Sequence, residues 1–398
     1  MNGYGLDQSQ YEVLLEKFYA FEEYYYYKRD EYYKDYIFIL RELDNIYSQG
    51  TNSPYTDAIT GWYLFFKNSE RYIRSHHACF RVTDACQLHC KHCYNQHLKR
   101  ENRFMLYDEF VYLFYRLHDV AQQFVHYKNI PDRDYDLEGG EATLNPDLPK
   151  MIHFLNQRGV GVAIPTNGIY LTDVLLYELS QRPSLNKVQL SIDGFEESHD
   201  FLRGVGSYRK TLSNIQRLKE TGVEVTANMV LHDGNYEEYQ PLRKYLWNEY
   251  KIILGRMLYT SQNVPFLSPI NDDKLRDFAE KRRLHGDISC HDGYPCNIGH
   301  QSLIRENGDF AFCGKGFDTS VTNFFNNSIE EATQMIKMFT LKHRSVPKYC
   351  FDCRRVSHCQ GGALCSQFKE GSSLNIEDRS CHILGWKKQG NLLENLGK

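Results

Sequence analysis

The sequence lacks any long hydrophobic run. Tyr36-Ile37-Phe38-Ile39-Leu40 is typical of the longest, far short of the roughly 18 apolar residues a membrane-spanning helix needs. A charge of one sign is missing too. Lys+Arg 47 against Asp+Glu 51 leave a net charge of -4, so there is no broad basic field for nucleic acid. The first thirty residues are polar, acidic and tyrosine-rich, which excludes a secretory signal and makes the expected location cytoplasmic. Between Cys93 and Cys290 there is no cysteine at all. A disulfide scaffold would leave that centre without a bridge. In a reducing compartment, cysteines grouped at short spacing read as metal ligands.

The 398 residues are enough for two or three domains. Residues 1–75 carry apolar positions at helical spacing (Tyr11, Leu14, Leu15, Phe18; Tyr33, Tyr36, Ile37, Leu40), which predicts a helical N-terminal segment. Tyr24 to Tyr27 are consecutive, and they read as an aromatic packing face or a docking surface. Over 76–285, β-like runs alternate with amphipathic stretches. Candidate strands are Cys79–Thr83, Tyr135–Glu138, Gly161–Pro165, Lys187–Asp193, Glu224–Val230 and Ile252–Leu258. The stretches between them that read as helices are 108–125, 148–158, 171–182, 208–221 and 236–250. Six such β/α units predict an α/β fold, a partial (β/α)6 TIM-like barrel with functional groups at the carboxyl ends of its strands. From 286 to 398 periodicity fades. Gly, Asn, Asp and Cys dominate, so a loop-rich, metal-held domain is expected there.

The first cysteine group is Cys86-x3-Cys90-x2-Cys93, just after the first candidate strand. Three thiolates can hold three irons of a 4Fe–4S cluster and leave the fourth iron open, as a catalytic site requires. A zinc site would lack a convincing fourth ligand. The spacing resembles that of the radical SAM superfamily, and the resemblance continues down the barrel. It implies that S-adenosylmethionine binds the open iron and is cleaved reductively to a 5′-deoxyadenosyl radical. His92 then stands at the family position beside the adenine. Gly139, Gly140 and Glu141 match the motif that meets the methionine amine; glycines allow close backbone approach, and a carboxylate accepts bonds from an ammonium. Thr166 and Asn167 end the third strand as the family's residues do. Ser191 and Asp193 end the fourth, Ser191 suiting the ribose or carboxylate. Arg203 resembles the arginine that pairs with the methionine carboxylate. Cys79 has no place in the motif and reads as a buried strand residue.

The remaining cysteines, Cys290, Cys296, Cys313, Cys350, Cys353, Cys359, Cys365 and Cys381, resemble the SPASM extension of radical SAM enzymes that modify peptides and proteins. The resemblance implies two auxiliary 4Fe–4S clusters: Cys290, Cys296, Cys313 and Cys365 on one, Cys350, Cys353, Cys359 and Cys381 on the other. Five residues separate Cys359 from Cys365, where the family usually has three. Zinc ribbons are the bland alternative. With the first group this makes three clusters, fed by an external electron donor of flavodoxin or ferredoxin type.

The function implied is a maturase that acts on a peptide or protein substrate, forming an oxidative thioether or carbon–carbon cross-link in a ribosomally made peptide. Anaerobic sulfatase maturation, which makes formylglycine, is a second class. Those enzymes carry an Asp directly after the third SPASM cysteine, whereas Gly314-Lys315-Gly316 follows Cys313 here. Small-molecule oxidation or epimerisation is a third. A non-enzymatic iron–sulfur electron carrier is a fourth, but it would need neither the Gly-Gly-Glu motif nor Arg203. No catalytic residue is assigned from the sequence.

Overall fold

The computed structural model describes residues 77–93, 101–123, 135–258, 301–312 and 320–343, with single residues at 9, 13, 268, 271, 273 and 274. The expected helical segment 1–75 lies outside these apart from Ser9 and Val13, both helical. Contacts divide the chain into two compact units. One combines Met1–Ser75, Arg276–His300 and Glu330–Lys398; the other combines His76–Leu275 with Gln301–Ile329.

The second unit is built on six parallel strands: β1 (His77–Thr83), β2 (Tyr135–Gly139), β3 (Val162–Thr166), β4 (Lys187–Ser191), β5 (Glu224–Leu231) and β6 (Ile253–Leu258). Between them run helices α1 (Tyr107–Gln122), α2 (Leu148–Gln157), α3 (Asp173–Ser180), α4 (Glu196–Arg203), α5 (Ser207–Glu220) and α6 (Tyr239–Tyr250). Each expected strand and helix overlaps one of these. The strands lie in sequential order, β6-β5-β4-β3-β2-β1. Every crossover therefore steps in the same direction. Right-handed connections then put all the helices on one face, the arrangement of a βα barrel. A doubly wound sheet reverses direction and covers both faces.

The helix-covered face is the core. Phe80, Val82, Leu137, Ile164, Val188, Leu190, Ala227 and Met229 are all buried. Phe80 packs edge-on against Phe110 of α1 with ring centroids 5.0 Å apart, and Phe114 meets Phe154 of α2 at 5.2 Å. Along β4 burial alternates strictly, with Lys187 and Gln189 exposed and Val188 and Leu190 buried.

The segment beyond 285 departs from the expected loop-rich picture. Strand β7 (Gln301–Ile304) pairs parallel with β1, registering Ala78 on Ser302 and Cys79 on Leu303. An antiparallel meander follows through β8 (Asp309–Ala311) and β9 (Thr322–Asn323). Gly308, at φ +83°, closes the β7–β8 turn. Arg81 of β1 clamps Glu306 at that turn through two hydrogen bonds of 2.7 and 2.8 Å. The sheet thus runs past the expected boundary at 285. Cys79 is fully buried against Leu303 and Ala311, in line with its reading as a strand residue. Helix α7 (Ile329–His343), largely within the other unit, has Glu330 and Glu331 in its first turn, where carboxylates suit the helix dipole.

Candidate active site

The carboxyl ends of β1 to β4, with Arg203 in the last turn of α4, carry the expected site residues of the sheet. The chain leaves β1 at Thr83 and enters the cysteine loop, and two joints fix its course. Gly140 N donates to Thr83 O at 2.9 Å, and Glu141 N donates to Ala85 O at 2.8 Å. A Cβ on Gly140 would lie 2.4 Å from Ala85 O and 2.6 Å from Asp84 O; one on Gly139 would lie 2.5 Å from Thr83 O. The close approach that these glycines permit is therefore to the chain's own backbone, and it seats the cysteine loop on the end of β2.

Glu141 also turns inward. Its carboxylate accepts from Thr143 N (3.3 Å), Thr143 Oγ1 (2.7 Å), Thr166 Oγ1 (2.7 Å) and Asn167 N (2.8 Å). Burial pushes its pKa above the usual carboxylate range, while those donors pull it back. Glu141 thus ties β2 to β3. Asn167 in turn accepts from Gln87 Nε2 of the cysteine loop at 3.2 Å.

Cys86, Cys90 and Cys93 are half-buried on that loop, and none is in a disulfide. Burial pushes the Cys90 thiol up to about 11, Arg203 opposes the rise, and Cys86 and Cys93 add to it. Among the described residues no three Cys, His, Asp or Glu side chains converge to hold a metal ion.

Behind the cysteines lies a charged network. Asp193, fully buried past the end of β4, accepts from Arg203 Nε at 2.5 Å and contacts His92 Nε2 at 3.2 Å. Val230 N donates to its other oxygen at 2.8 Å. Burial alone would raise the Asp193 carboxyl, but the Arg203 cation and His92 hold it far below the usual range. Arg203 Nη1 reaches Cys90 Sγ at 4.0 Å, and Nη2 lies 3.5 Å from His92 Nε2. With its Nε2 proton directed at the Asp193 carboxylate, the neutral His92 ring would leave Nδ1 as an acceptor, and Nδ1 is buried without a partner.

Ser191 is half-buried, and its hydroxyl has no hydrogen-bond partner among the described residues. The same holds for the side chain of Asn228, its register partner on β5. Sequence reading missed Asn228, Gln87 and Asn235. Asn228 sits one strand beyond the last motif, where only the β4–β5 register reveals it. Asn235 holds Asp193 O and Val230 O together at 3.0 Å each. Cys290, Cys296, Cys313, Cys350, Cys353, Cys359, Cys365 and Cys381 lie outside the described residues.

Residues 80–246 match the Radical SAM superfamily. The sporulation killing factor maturation protein SkfB of Bacillus subtilis is 27% identical over 161 residues, 40% of this chain and 36% of that protein. The match thus spans little more than a third of that relative. The mycofactocin maturase MftC of Mycolicibacterium smegmatis is 28% identical over 345 residues, covering 77% of this chain and 82% of the relative. Among solved structures, Streptococcus suis SuiB bound to S-adenosylmethionine shares the fold with a TM-score of 0.60. It is 16% identical and is covered over 88% of both chains. No helix among the described residues is long and apolar enough to cross a membrane.

Proposed function

We propose, from the match of residues 80–246 to the Radical SAM superfamily, that the chain is a radical SAM maturase of a ribosomally made peptide, one that forms an oxidative thioether or carbon–carbon cross-link. Cys86, Cys90 and Cys93 hold a 4Fe–4S cluster with one open iron, and S-adenosylmethionine binds beside it. Together, when bound and reduced by a flavodoxin- or ferredoxin-type donor, they supply a 5′-deoxyadenosyl radical that can take a hydrogen atom from the peptide. The names of SkfB and MftC as maturation proteins support the substrate class.

The observation that carries this reading is the pairing of three half-buried cysteines, on the loop after β1, with a buried, partnerless acceptor at His92 Nδ1. The exocyclic amine of an adenine is a donor of the kind that acceptor lacks. Ser191 and Asn228, side by side on adjacent strand ends, offer hydroxyl and amide groups to a ribose. Gly139, Gly140, Thr166 and Asn167 shape the wall between, with Glu141 bracing it from inside. Asp193 serves as a buried anchor that orients His92.

The eight cysteines from Cys290 to Cys381 complete the proposal as ligands of two auxiliary clusters that accept the electron lost when the product is oxidised. Three clusters require about twelve irons per chain, one cluster about four. The test is anaerobic reconstitution with iron and sulfide, reduction by dithionite, and chromatography for 5′-deoxyadenosine. Wild type should make it, and a Cys86/Cys90/Cys93→Ala variant should not. A variant that still cleaves S-adenosylmethionine would overturn the cluster assignment. A peptide encoded beside the gene should lose two hydrogens on co-expression, and an unchanged mass would overturn the cross-link.

A further inference from the structure

The Arg203 guanidinium is buried at the back of the cysteine loop and divided among three partners. Nε meets Asp193 at 2.5 Å, Nη2 meets His92 at 3.5 Å, and Nη1 meets Cys90 Sγ at 4.0 Å. Its geometry is held from several sides. Asp193, which anchors it, is clamped by Val230 N and, through its backbone carbonyl, by Asn235. Helix α4, which carries Arg203 in its last turn, also accepts Lys91 N of the cysteine loop at Leu202 O (2.8 Å). Lys91 Nζ lies 3.4 Å from the centre of the Phe201 ring on the same helix. The end of α4 is thus docked against the segment Cys90–Cys93, and its one buried cation faces one particular sulfur.

We propose that Arg203 is a positioning residue that sets the reduction potential of the group held by Cys90: its fixed cation, anchored on Asp193, withdraws charge from the Cys90 sulfur and favours the reduced cluster. This rests on the reading that Cys86, Cys90 and Cys93 hold a 4Fe–4S cluster. The sign follows from Coulomb's law. Reduction adds one negative charge to the cluster, and a buried cation a few ångströms from one of its sulfurs stabilises the added charge. Asp193 offsets part of this effect, but Arg203 stands between the carboxylate and the sulfur, so the cation is the nearer charge. Hydrogen bonds and charges at cluster sulfurs are among the determinants of iron–sulfur potentials generally.

The experiment is a redox titration of the reconstituted protein without S-adenosylmethionine, followed by the electron paramagnetic resonance signal of the reduced cluster. A Cys290/Cys296/Cys313/Cys350/Cys353/Cys359/Cys365/Cys381→Ala background removes overlapping signals. In that background, Arg203→Gln should lower the ratio of reduced to oxidised cluster at least tenfold at a given potential, a shift of about 59 mV for one electron. Arg203→Lys keeps a charge to pair with Asp193. It cannot bridge to Cys90 as well, so it should shift in the same direction by less. Should Arg203→Gln fail to fold, the Lys variant and a second measurement decide. With 15N-labelled arginine, the reduced wild-type cluster should show a 15N hyperfine coupling that Arg203→Lys lacks. Equal potentials in wild type and both variants, or the absence of that coupling, would overturn the role of Arg203. Failure of the wild type to assemble any cluster on Cys86, Cys90 and Cys93 would overturn the reading beneath it.

Discussion

Replacing Gly140 by Ala tests whether the end of β2 dictates where the cysteine loop lies. The new methyl would sit 2.4 Å from Ala85 O, 2.6 Å from Asp84 O and 2.8 Å from Ala85 C. All three are backbone atoms, so no side chain can swing away to relieve the clash. Overpacking of this kind costs about 1–3 kcal/mol. Relief requires the loop to withdraw from β2, and that stretches the bonds Gly140 N to Thr83 O and Glu141 N to Ala85 O. Each is worth about 1 kcal/mol. The expected loss is thus about 3–5 kcal/mol, within the total stability of an ordinary domain. The variant should fold, but with Cys86 displaced.

Two measurements on the variant check this. Urea unfolding of the metal-free protein should show the loss of stability, and anaerobic reconstitution should show a fall in iron bound. Gly159→Ala is the control. Gly159 has φ +71° with no atom within 4 Å of the added methyl, so its cost of about 1–2 kcal/mol is backbone strain alone. It should weaken folding and leave iron content unchanged. If Gly140→Ala unfolds within about 0.5 kcal/mol of wild type and binds iron normally, the glycine pair does not seat the loop.

Three further outcomes follow from the same geometry. Asp200 accepts from Gly206 N (2.6 Å), Ser207 Oγ (3.1 Å) and Tyr208 N (2.9 Å) and so caps α5 from the preceding helix; Asp200→Asn should cost about 0.5–2 kcal/mol in urea unfolding. Burial would raise the Asp200 carboxyl, but these three donors hold it below its ordinary 3.8. Its stabilisation is therefore present above that value and is lost as pH falls through the lower folded one, so the stability curves of wild type and Asp200→Asn should converge on acidification. Phe80→Ala should cost about 3–5 kcal/mol, because a fully buried ring in contact with Phe110 and Tyr135 is removed; a loss under about 1 kcal/mol would contradict the packing. A fragment spanning 76–285 should aggregate on gel filtration while 76–329 elutes as a monomer, since only the longer one covers the β1 edge with β7.

The parallel sheet was legible because its strands are bounded by helices long enough to show a 3.6-residue period. Helix α1 buries Phe110, Leu113, Phe114 and Leu117, which is the i, i+3, i+4, i+7 stripe that sequence reading detects. Strands β7, β8 and β9 were not legible, because four, three and two residues are too short to show alternation. Their identity comes from partners remote in sequence, Cys79 with Leu303 and Arg81 with Glu306. Helix α4 escaped for a related reason. It has eight residues, of which only His199 and Leu202 are buried.

In the site, the motif residues fall at strand ends, on the cysteine loop and, for Arg203, in the last turn of α4, and the sequence alone does not say which way the charged ones face. Motif spacing carries position along the chain, whereas direction depends on what lies across the sheet. Glu141 points inward because Thr143, Thr166 and Asn167 present four donors there, an arrangement that exists only once β2 and β3 are adjacent. Arg203 points inward because Asp193, ten residues earlier on another element, is desolvated and demands a cation. Both orientations follow one rule: a fully buried ionisable group is paired before it is available to a ligand. Among the described residues, His92 Nδ1, Ser191 and Asn228 keep hydrogen-bonding capacity to spare, and these neutral groups are where a nucleoside should be sought.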